Sequence, residues 1–259
     1  EEFRLPVFEG RVAPADAAAL VNVHAVPTSV QLNYVSGGPA AQWPVRVSAL
    51  VRKKELHFDA YDAFSFRAPQ GRKQTTSQGE EEDSAANDAR VIADKLPLTL
   101  DRNGAGRVQL DDVPRASAAQ ELLIEAHYAD PNGEVQTLRS THTLWPAAVV
   151  AGIKADSWVS ASDKVRFQTL ALDTSGKALA NVPMQVQAIA RTTTTSRKRM
   201  VGGFYSYDSK TETKDLGSVC SGKSDARGLL LCETKLGEAG EVELIVTAKD
   251  KDGQSIQAA

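Results

Sequence analysis

The stretch GGPAAQWPVRVSAL at residues 37–50 returns as GKALANVPMQVQAI at residues 176–189. Both versions open on a glycine-containing turn, reach a proline, and then alternate apolar with polar residues. Tight turns favour glycine, and alternation with a period of two is typical of a half-buried strand. A repeat of this length within one chain predicts two copies of the same structural unit.

Two shorter stretches return in the same order, DRNG of 101–104 as DARG and LLIEA of 122–126 as LIVTA. The copies are 139 residues apart at the first stretch (37 to 176), 124 at the second (101 to 225) and 122 at the third (122 to 244). The first copy therefore holds extra residues between the first two stretches. Residues 68–89 lie there and show no apolar period, so we expect a mobile surface insertion.

The local pattern throughout the chain is that of strands. Four runs alternate with a period of two: Val45, Val47 and Ala49; Val165, Phe167 and Thr169; Val182, Met184, Val186 and Ala188; and, less cleanly because Ile245 intervenes, Val242, Leu244 and Val246. Turn residues separate the runs, and no stretch sustains a helical period. We predict an all-β chain of two tandem antiparallel β-sandwich domains, 1–146 and 147–259.

Composition limits the possible functions. The chain has 259 residues, 42% of them hydrophobic and 24% charged, which suits two globular domains. The net charge of -3 gives no attraction to nucleic acid. Its longest apolar run is too short to cross a bilayer. Because the chain begins at Glu1 without a signal peptide, we expect it to be part of a longer mature protein.

Two cysteines, Cys220 and Cys232, flank the turn at 224–228. We expect them to face each other across a hairpin at a separation that a disulfide can close. The corresponding positions of the first copy are Leu96 and Val108, an apolar pair. A structural disulfide indicates an oxidising compartment such as the periplasm or the cell exterior. A reactive thiol pair or a metal site is the alternative.

The sequence offers no catalytic constellation. The four histidines, all in the first copy, are His24, His57, His127 and His142. His57 with Asp59 and Asp62 presents cation-binding side chains, but their spacing matches no metal template. Nucleophile-elbow, phosphate-loop and zinc-protease motifs are missing from the sequence. We therefore expect no enzymatic activity, no cofactor and no metal.

The basic run Arg197, Lys198 and Arg199 precedes the glycine- and aromatic-rich residues 200–208. An exposed tip of this kind is readily cut by proteases that recognise basic residues. Basic and aromatic residues together also suit nucleic acid, which the overall acidic charge opposes. The simpler interpretation is a long hairpin whose aromatic residues pack on a neighbouring domain. Residues 192–214 and 68–89 are the two disordered-looking stretches in which protease access is expected.

Several of these motifs resemble the bacterial alpha-2-macroglobulins. The more specific one is RKRMVGGFYSYD at 197–208, together with CSGK at 220–223 and Leu231-Cys232. The others are EFRLPVFE at 2–9, NYVSGG at 33–38, LTLDRNGAG at 98–106 and LWPAAV at 144–149. The resemblance spans both copies.

This resemblance implies macroglobulin-like, fibronectin III- or immunoglobulin-like sandwiches in a large periplasmic protein, often lipid-anchored. Such proteins are broad-range endopeptidase inhibitors, associated with evasion of host defence, that enclose a protease after it cuts an exposed bait segment. Many also use a Cys-x-x-Gln thioester, which neither CSGK nor CETK matches. The chain is then expected to be scaffold, with the bait outside it. Its expected partners are neighbouring macroglobulin domains and, through the full-length parent, proteases; membrane association is expected only through a lipid anchor elsewhere.

Two other functions remain open at this point. Tandem sandwiches with one disulfide equally suit the stalk or ligand-binding repeats of a bacterial surface adhesin, because a fold does not determine a function. An accessory domain of a secreted enzyme is a further alternative. It requires Trp43, Trp145 and Trp158 to meet on a sugar-binding surface.

Overall fold

The computed structural model describes residues 7–70, 89–155, 164–199, 205–235 and 241–259. The described residues form strands and one three-residue 3-10 helix, Asp59–Tyr61, which confirms the all-β prediction. The strands are β1 Phe8–Pro14, β2 Leu20–Val21, β3 Val26–Tyr34, β4 Pro44–Lys53, β5 Arg90–Thr99, β6 Ala105–Leu110, β7 Gln120–Ala129, β8 Val135–Trp145, β9 Val150–Ala155, β10 Lys164–Leu172, β11 Pro183–Arg199, β12 Tyr205–Lys223, β13 Leu229–Lys235, β14 Glu241–Lys249 and β15 Ser255–Ala258.

The chain divides into two compact units, with one boundary between Pro146 and Ala147. Unit 1 comprises Glu1–Lys54 and Asp83–Pro146, and unit 2 comprises Glu55–Glu82 and Ala147–Ala259. In this division the residues that follow β4, 55–70, lie with unit 2, although the sequence predicts one continuous domain 1–146. Most of the expected insertion, residues 71–88, lies outside the described residues.

Unit 1 is a sandwich of two sheets with strand orders β1-β3-β6 and β2-β8-β7-β4-β5. Its pairs are antiparallel except for the short parallel contact between β2 and β8. Alternation along β4 places Val45, Val47 and Val51 inward, where each is almost fully buried. They meet Leu122 and Ile124 of β7 in a single core, so the predicted period of two directly builds the interior.

Unit 2 repeats this arrangement with strand orders β9-β10-β13 and β12-β11-β14-β15. Once β2 is set aside, the strands of the two units correspond one to one in the same order. Phe167 of β10 and Met184 and Val186 of β11 lie in its core. The predicted duplication is thus present as repeated topology.

Register shows which sequence offsets relate the copies. Val47 pairs with Ala126, and Val186 pairs with Val246. With β4 and β11 matched at the offset of 139 (47 to 186), β7 and β14 are related by 120 residues (126 to 246), which is also the offset between the turns at Asp130 and Asp250. The expected offset of 122 was wrong by two, because a slip of two residues leaves the alternation of a strand unchanged.

Five turns share one construction around an aspartate. In each, the Asp Oδ1 accepts hydrogen bonds from the amides two and four residues later, and a glycine with positive φ stands at the fourth position. The five aspartates are Asp101, Asp130, Asp173, Asp225 and Asp250. The hydrogen bond from the Leu229 amide, assisted by that from Arg227, lowers the pKa of Asp225. Asp173 is partly desolvated, but hydrogen bonds from Ser175 and Lys177 outweigh this and lower its pKa.

Candidate functional site

The histidines do not form a catalytic or metal-binding group. His57 Nε2 lies 3.1 Å from Asp59 Oδ1, and both side chains are largely exposed. His127 contacts Glu125 and Thr137 on the outer face of the large sheet. Burial lowers the pKa of His142, which lies near Ser140. Within the described ranges, no three acidic, histidine or cysteine residues cluster as metal ligands.

The tryptophans give no support for a sugar-binding surface. Trp43 is half-buried, its ring lies 4.9 Å from that of Phe8, and its indole N–H donates to the Ala129 carbonyl. These contacts make Trp43 part of the packing of unit 1. Trp145 ends β8 and is half-buried, and Trp158 lies outside the described residues.

The basic run lies on a long hairpin. β11 pairs with β12 from Pro183↔Lys223 to Arg199↔Tyr205, with register shifts between Val186 and Gln187 and between Ala188 and Ile189. The described pairing of β14 with β11 ends at Arg191↔Glu241. Residues 192–199 and 205–212, here called the ribbon, thus extend as a paired two-stranded element. The predicted long hairpin is present, whereas the packing of its aromatic residues on a neighbouring domain stays a prediction.

The same ribbon corrects the disordered interpretation of residues 192–214 over their described part, since those residues are paired in β11 and β12. Arg197 is exposed and pairs with Tyr207, and Lys198 and Arg199 continue β11. Residues 200–204 lie outside the described residues. Protease access at Arg197, Lys198 and Arg199 stays a prediction.

Cys220 and Cys232 form a disulfide, with their Cα atoms 6.0 Å apart. The sequence suggested that their two strands pair as a hairpin within one sheet, and they do not. Cys220 of β12 pairs with Val186, whereas Cys232 of β13 pairs with Phe167 in the other sheet. The disulfide therefore ties the two sheets of unit 2 together. A thiol pair and a cysteine metal site are wrong, because neither cysteine is free.

The first copy places Leu96 and Val108 at the equivalent positions, as the sequence predicts. Leu96 pairs with Val47 and Val108 with Thr28, each 139 residues before the partners of the two cysteines. Both side chains pack against the unit 1 core. A hydrophobic contact thus takes the place of the disulfide in unit 1.

A further segment of the structure has irregular backbone and many contacts, and it was not predicted from the sequence. Residues 55–70, here called the strap, follow β4 but belong to unit 2. Ser65 exchanges two backbone hydrogen bonds with Ile153 of β9, at 2.8 and 2.9 Å. The amide of Ala259, directly after β15, donates to the Arg67 carbonyl at 2.9 Å, and Ser65 Oγ donates to the Ala259 carbonyl. β9 and β15 are edge strands of different sheets, so the strap joins both sheets along one edge of the sandwich.

Aromatic side chains anchor the strap. Phe66 is 5% exposed, and its ring lies 4.9 Å from that of Phe58 in an edge-to-face contact. Each ring lies over a glycine of unit 2, Phe66 over Gly152 and Phe58 over Gly176. A buried Phe contributes the large apolar area that fixes a segment of irregular backbone.

The end of the strap meets a buried ion pair. Arg191 Nη2 lies 2.6 Å from Glu243 Oε2, and their side chains are only 12% and 13% exposed. The same Nη2 donates to the Gln70 carbonyl, and the Gln70 amide donates to Glu243 Oε1. The strap backbone therefore supplies one acceptor and one donor to a pair that water scarcely reaches. A cavity of about 210 Å³ lies beside these groups and is lined also by Arg67 and Glu241.

Together, these features define the class of the chain: two tandem antiparallel β-sandwiches, the second with an inter-sheet disulfide. The fold is similar to that of native Escherichia coli alpha-2-macroglobulin, with a TM-score of 0.64 and 17% identity over 99% of this chain and 16% of that chain. Salmonella alpha-2-macroglobulin reacted with methylamine gives a TM-score of 0.64 and 17% identity, covering 99% and 17%. The Escherichia coli protein activated by porcine elastase gives 0.58 and 19%, covering 99% and 22%.

These likenesses show the fold, and the chain spans about one sixth of the length of the first two proteins. No protein-family model matches the chain, and no curated protein does so. The part of the chain that the structure describes contains no helix with the length and apolar character needed to cross a membrane.

Proposed function

We propose that the chain is a scaffold segment of a bacterial protein of the alpha-2-macroglobulin type, a broad-range endopeptidase inhibitor that traps proteases after bait cleavage. The observation that carries the proposal is the match of both units, over 99% of the chain and at a TM-score of 0.64, to part of such a protein. Individual sandwiches occur in many functional classes, whereas a matching tandem pair is a narrower likeness.

The chemistry of the chain favours a scaffold over a trap. A thioester needs a cysteine whose sulfur is free to bond to a glutamine side chain. Cys220 and Cys232 are both consumed by the disulfide. Nor does either precede a glutamine at the required spacing. Any covalent capture of a protease therefore belongs to other parts of such a protein.

The disulfide also supports the proposed location. Disulfides persist in oxidising compartments, and in a bacterium these are the periplasm and the cell exterior. We place the chain in the periplasm, with any membrane attachment through a lipid anchor on another segment. Its partners are then neighbouring macroglobulin domains and, through the complete inhibitor, proteases; it is not itself an enzyme.

The proposal is tested with the chain alone and with the longer protein that contains it. Each is mixed with trypsin, elastase and subtilisin, complexes are separated by gel filtration, and residual hydrolysis of a protein substrate is measured. The longer protein is expected to retain protease and protect the substrate, and the chain alone is expected to do neither.

Two outcomes contradict the proposal. Protease retention by the chain alone overturns its role as scaffold. Failure of the longer protein to retain any protease overturns the inhibitor function, and saturable binding of the chain to carbohydrates or host cells then favours the adhesin alternative.

A further inference from the structure

We propose that unit 2 contains a recognition site for an extended aromatic peptide, and that the strap, residues 55–70, is its tethered ligand. The inference concerns a binding site that is independent of protease trapping. It rests on three kinds of contact made by the same short segment: main-chain pairing, aromatic anchoring and a polar clamp.

The main-chain contacts are those of a peptide added to a sheet edge. Ser65 pairs with Ile153, and Arg67 accepts from Ala259, two residues further along the strap. Ser65 and Arg67 of the strap thus bond to the edge strand β9 and to Ala259, which directly follows the edge strand β15. Peptides that bind by strand addition obtain affinity from such backbone bonds and specificity from pockets for alternate side chains.

The pockets are formed by glycines. A Cβ atom built on Gly152 would lie 2.6 Å from the Phe66 ring, and one on Gly176 would lie 2.8 Å from the Phe58 ring. Real Cβ atoms do not approach other atoms this closely. Both glycines therefore leave room for the two aromatic rings, which provides side-chain specificity to the site.

The polar clamp is the Arg191–Glu243 ion pair, which binds backbone atoms of the strap. Arg191 and Glu243 bind the carbonyl and the amide of the same residue, Gln70, at 2.9 and 2.8 Å. A buried ion pair needs further hydrogen bonds to offset its desolvation, and an extended peptide supplies them here. Because the clamp contacts main-chain atoms, it fixes the position of a peptide without selecting its side chain.

The internal structure of the strap is also that of a bound peptide. Apart from one 3-10 turn at Asp59–Tyr61 it has no regular structure, and the rings of Phe58 and Phe66 are in edge-to-face contact. The corresponding connection in unit 2 joins β11 to β12 within five residues, from Arg199 to Tyr205. In unit 1 the chain instead leaves β4, contributes the strap to unit 2 and re-enters at β5.

The test replaces residues 55–70 of the full chain with a glycine-serine linker and adds a labelled synthetic peptide of the strap sequence. Fluorescence anisotropy is expected to show saturable, equimolar binding to the strap-replaced chain. The intact chain, whose site is occupied, is expected to bind the peptide at least about 100-fold more weakly.

Peptide variants separate the proposed anchoring from general stickiness. A Phe66→Ala peptide is expected to bind about 100-fold more weakly, since it loses a buried ring. An Asp62→Ala peptide is the matched control, because Asp62 is exposed, and its affinity should be unchanged. No binding, or equal binding of the Phe66→Ala peptide, overturns the proposal.

A second measurement applies if the strap-replaced chain fails to fold. In the intact chain, Gly152→Ala places a methyl group against Phe66, whereas the control Gly222→Ala places one against Leu230. Hydrogen exchange at the amides of Ile153 and Ala259, which donate to the strap, is expected to accelerate at least about 10-fold in Gly152→Ala only. Equal exchange in the two variants overturns the proposal.

Discussion

Breaking the inter-sheet disulfide provides a quantitative test of unit 2. The bridge joins residues 12 apart. Closing a loop of this length removes chain entropy from the unfolded state worth about 3 kcal/mol at 25 °C. For a unit of roughly 140 residues, each kcal/mol corresponds to about 3–4 °C, so unit 2 is expected to melt about 10 °C lower without the bridge.

The assay is differential scanning calorimetry of the oxidised chain, the reduced chain and a Cys220→Ala/Cys232→Ala variant. Unit 1 lacks cysteine and serves as an internal control whose transition should not move. A unit 2 transition that stays within about 1 °C on reduction would refute the entropic argument. A drop in the alanine variant without one in the reduced chain would assign the effect to lost packing at Cys232, which is buried.

Three further predictions follow from the repeat and its turns. Leu96→Cys/Val108→Cys should form a disulfide in unit 1 that raises its melting temperature under oxidising conditions only; thiol titration and calorimetry check this, and two free thiols in the folded chain would contradict it. In urea unfolding, Gly228→Ala should lower the unfolding free energy of unit 2 by more than about 2 kcal/mol and Gly253→Ala by about 1 kcal/mol. Both glycines have positive φ, but of the two only Gly228 would place a Cβ against a backbone oxygen, at 2.5 Å. Equal losses would show that this contact is irrelevant. Because the pKa of Asp225 is lowered in the folded state, its contribution to stability is complete above the ordinary value of 3.8 and is lost as the pH falls through the lowered value. Acidification from pH 7 to 2 should therefore reduce the melting temperature of unit 2 less in Asp225→Asn than in the parent. Parallel curves of melting temperature against pH would contradict this.

Strand alternation and turn chemistry carried most of the fold prediction. Val45 and Val47 alternate with polar neighbours because one face of β4 is core, and this pattern is visible in one dimension. The disulfide partners were also predictable from their placement around the turn at Asp225. Whether that turn returns the chain to the same sheet or carries it to the other was not, since its local hydrogen bonds are the same in both cases.

The strap was hidden because it has no period. Phe58 and Phe66 are eight residues apart, and the residues between them sustain neither the alternation of a strand nor the period of a helix. Their partners, Gly152 and Gly176, lie about 100 residues later. The Arg191–Glu243 pair was overlooked for the same reason. In the sequence each residue is an ordinary charged position in a strand, and only the structure shows that both bind the backbone of Gln70.

The separation between the strap and its site has a consequence during synthesis. Ser65 contacts Ala259, which is 194 residues further along the chain. At ordinary ribosomal rates of 5–20 residues per second, roughly 10–40 s pass between the appearance of the two. For most of that interval Phe58 and Phe66 are outside the ribosome while the last strand that receives the strap does not yet exist. A nascent chain therefore displays an unprotected aromatic segment, which a chaperone selective for exposed hydrophobic residues would bind until unit 2 is complete.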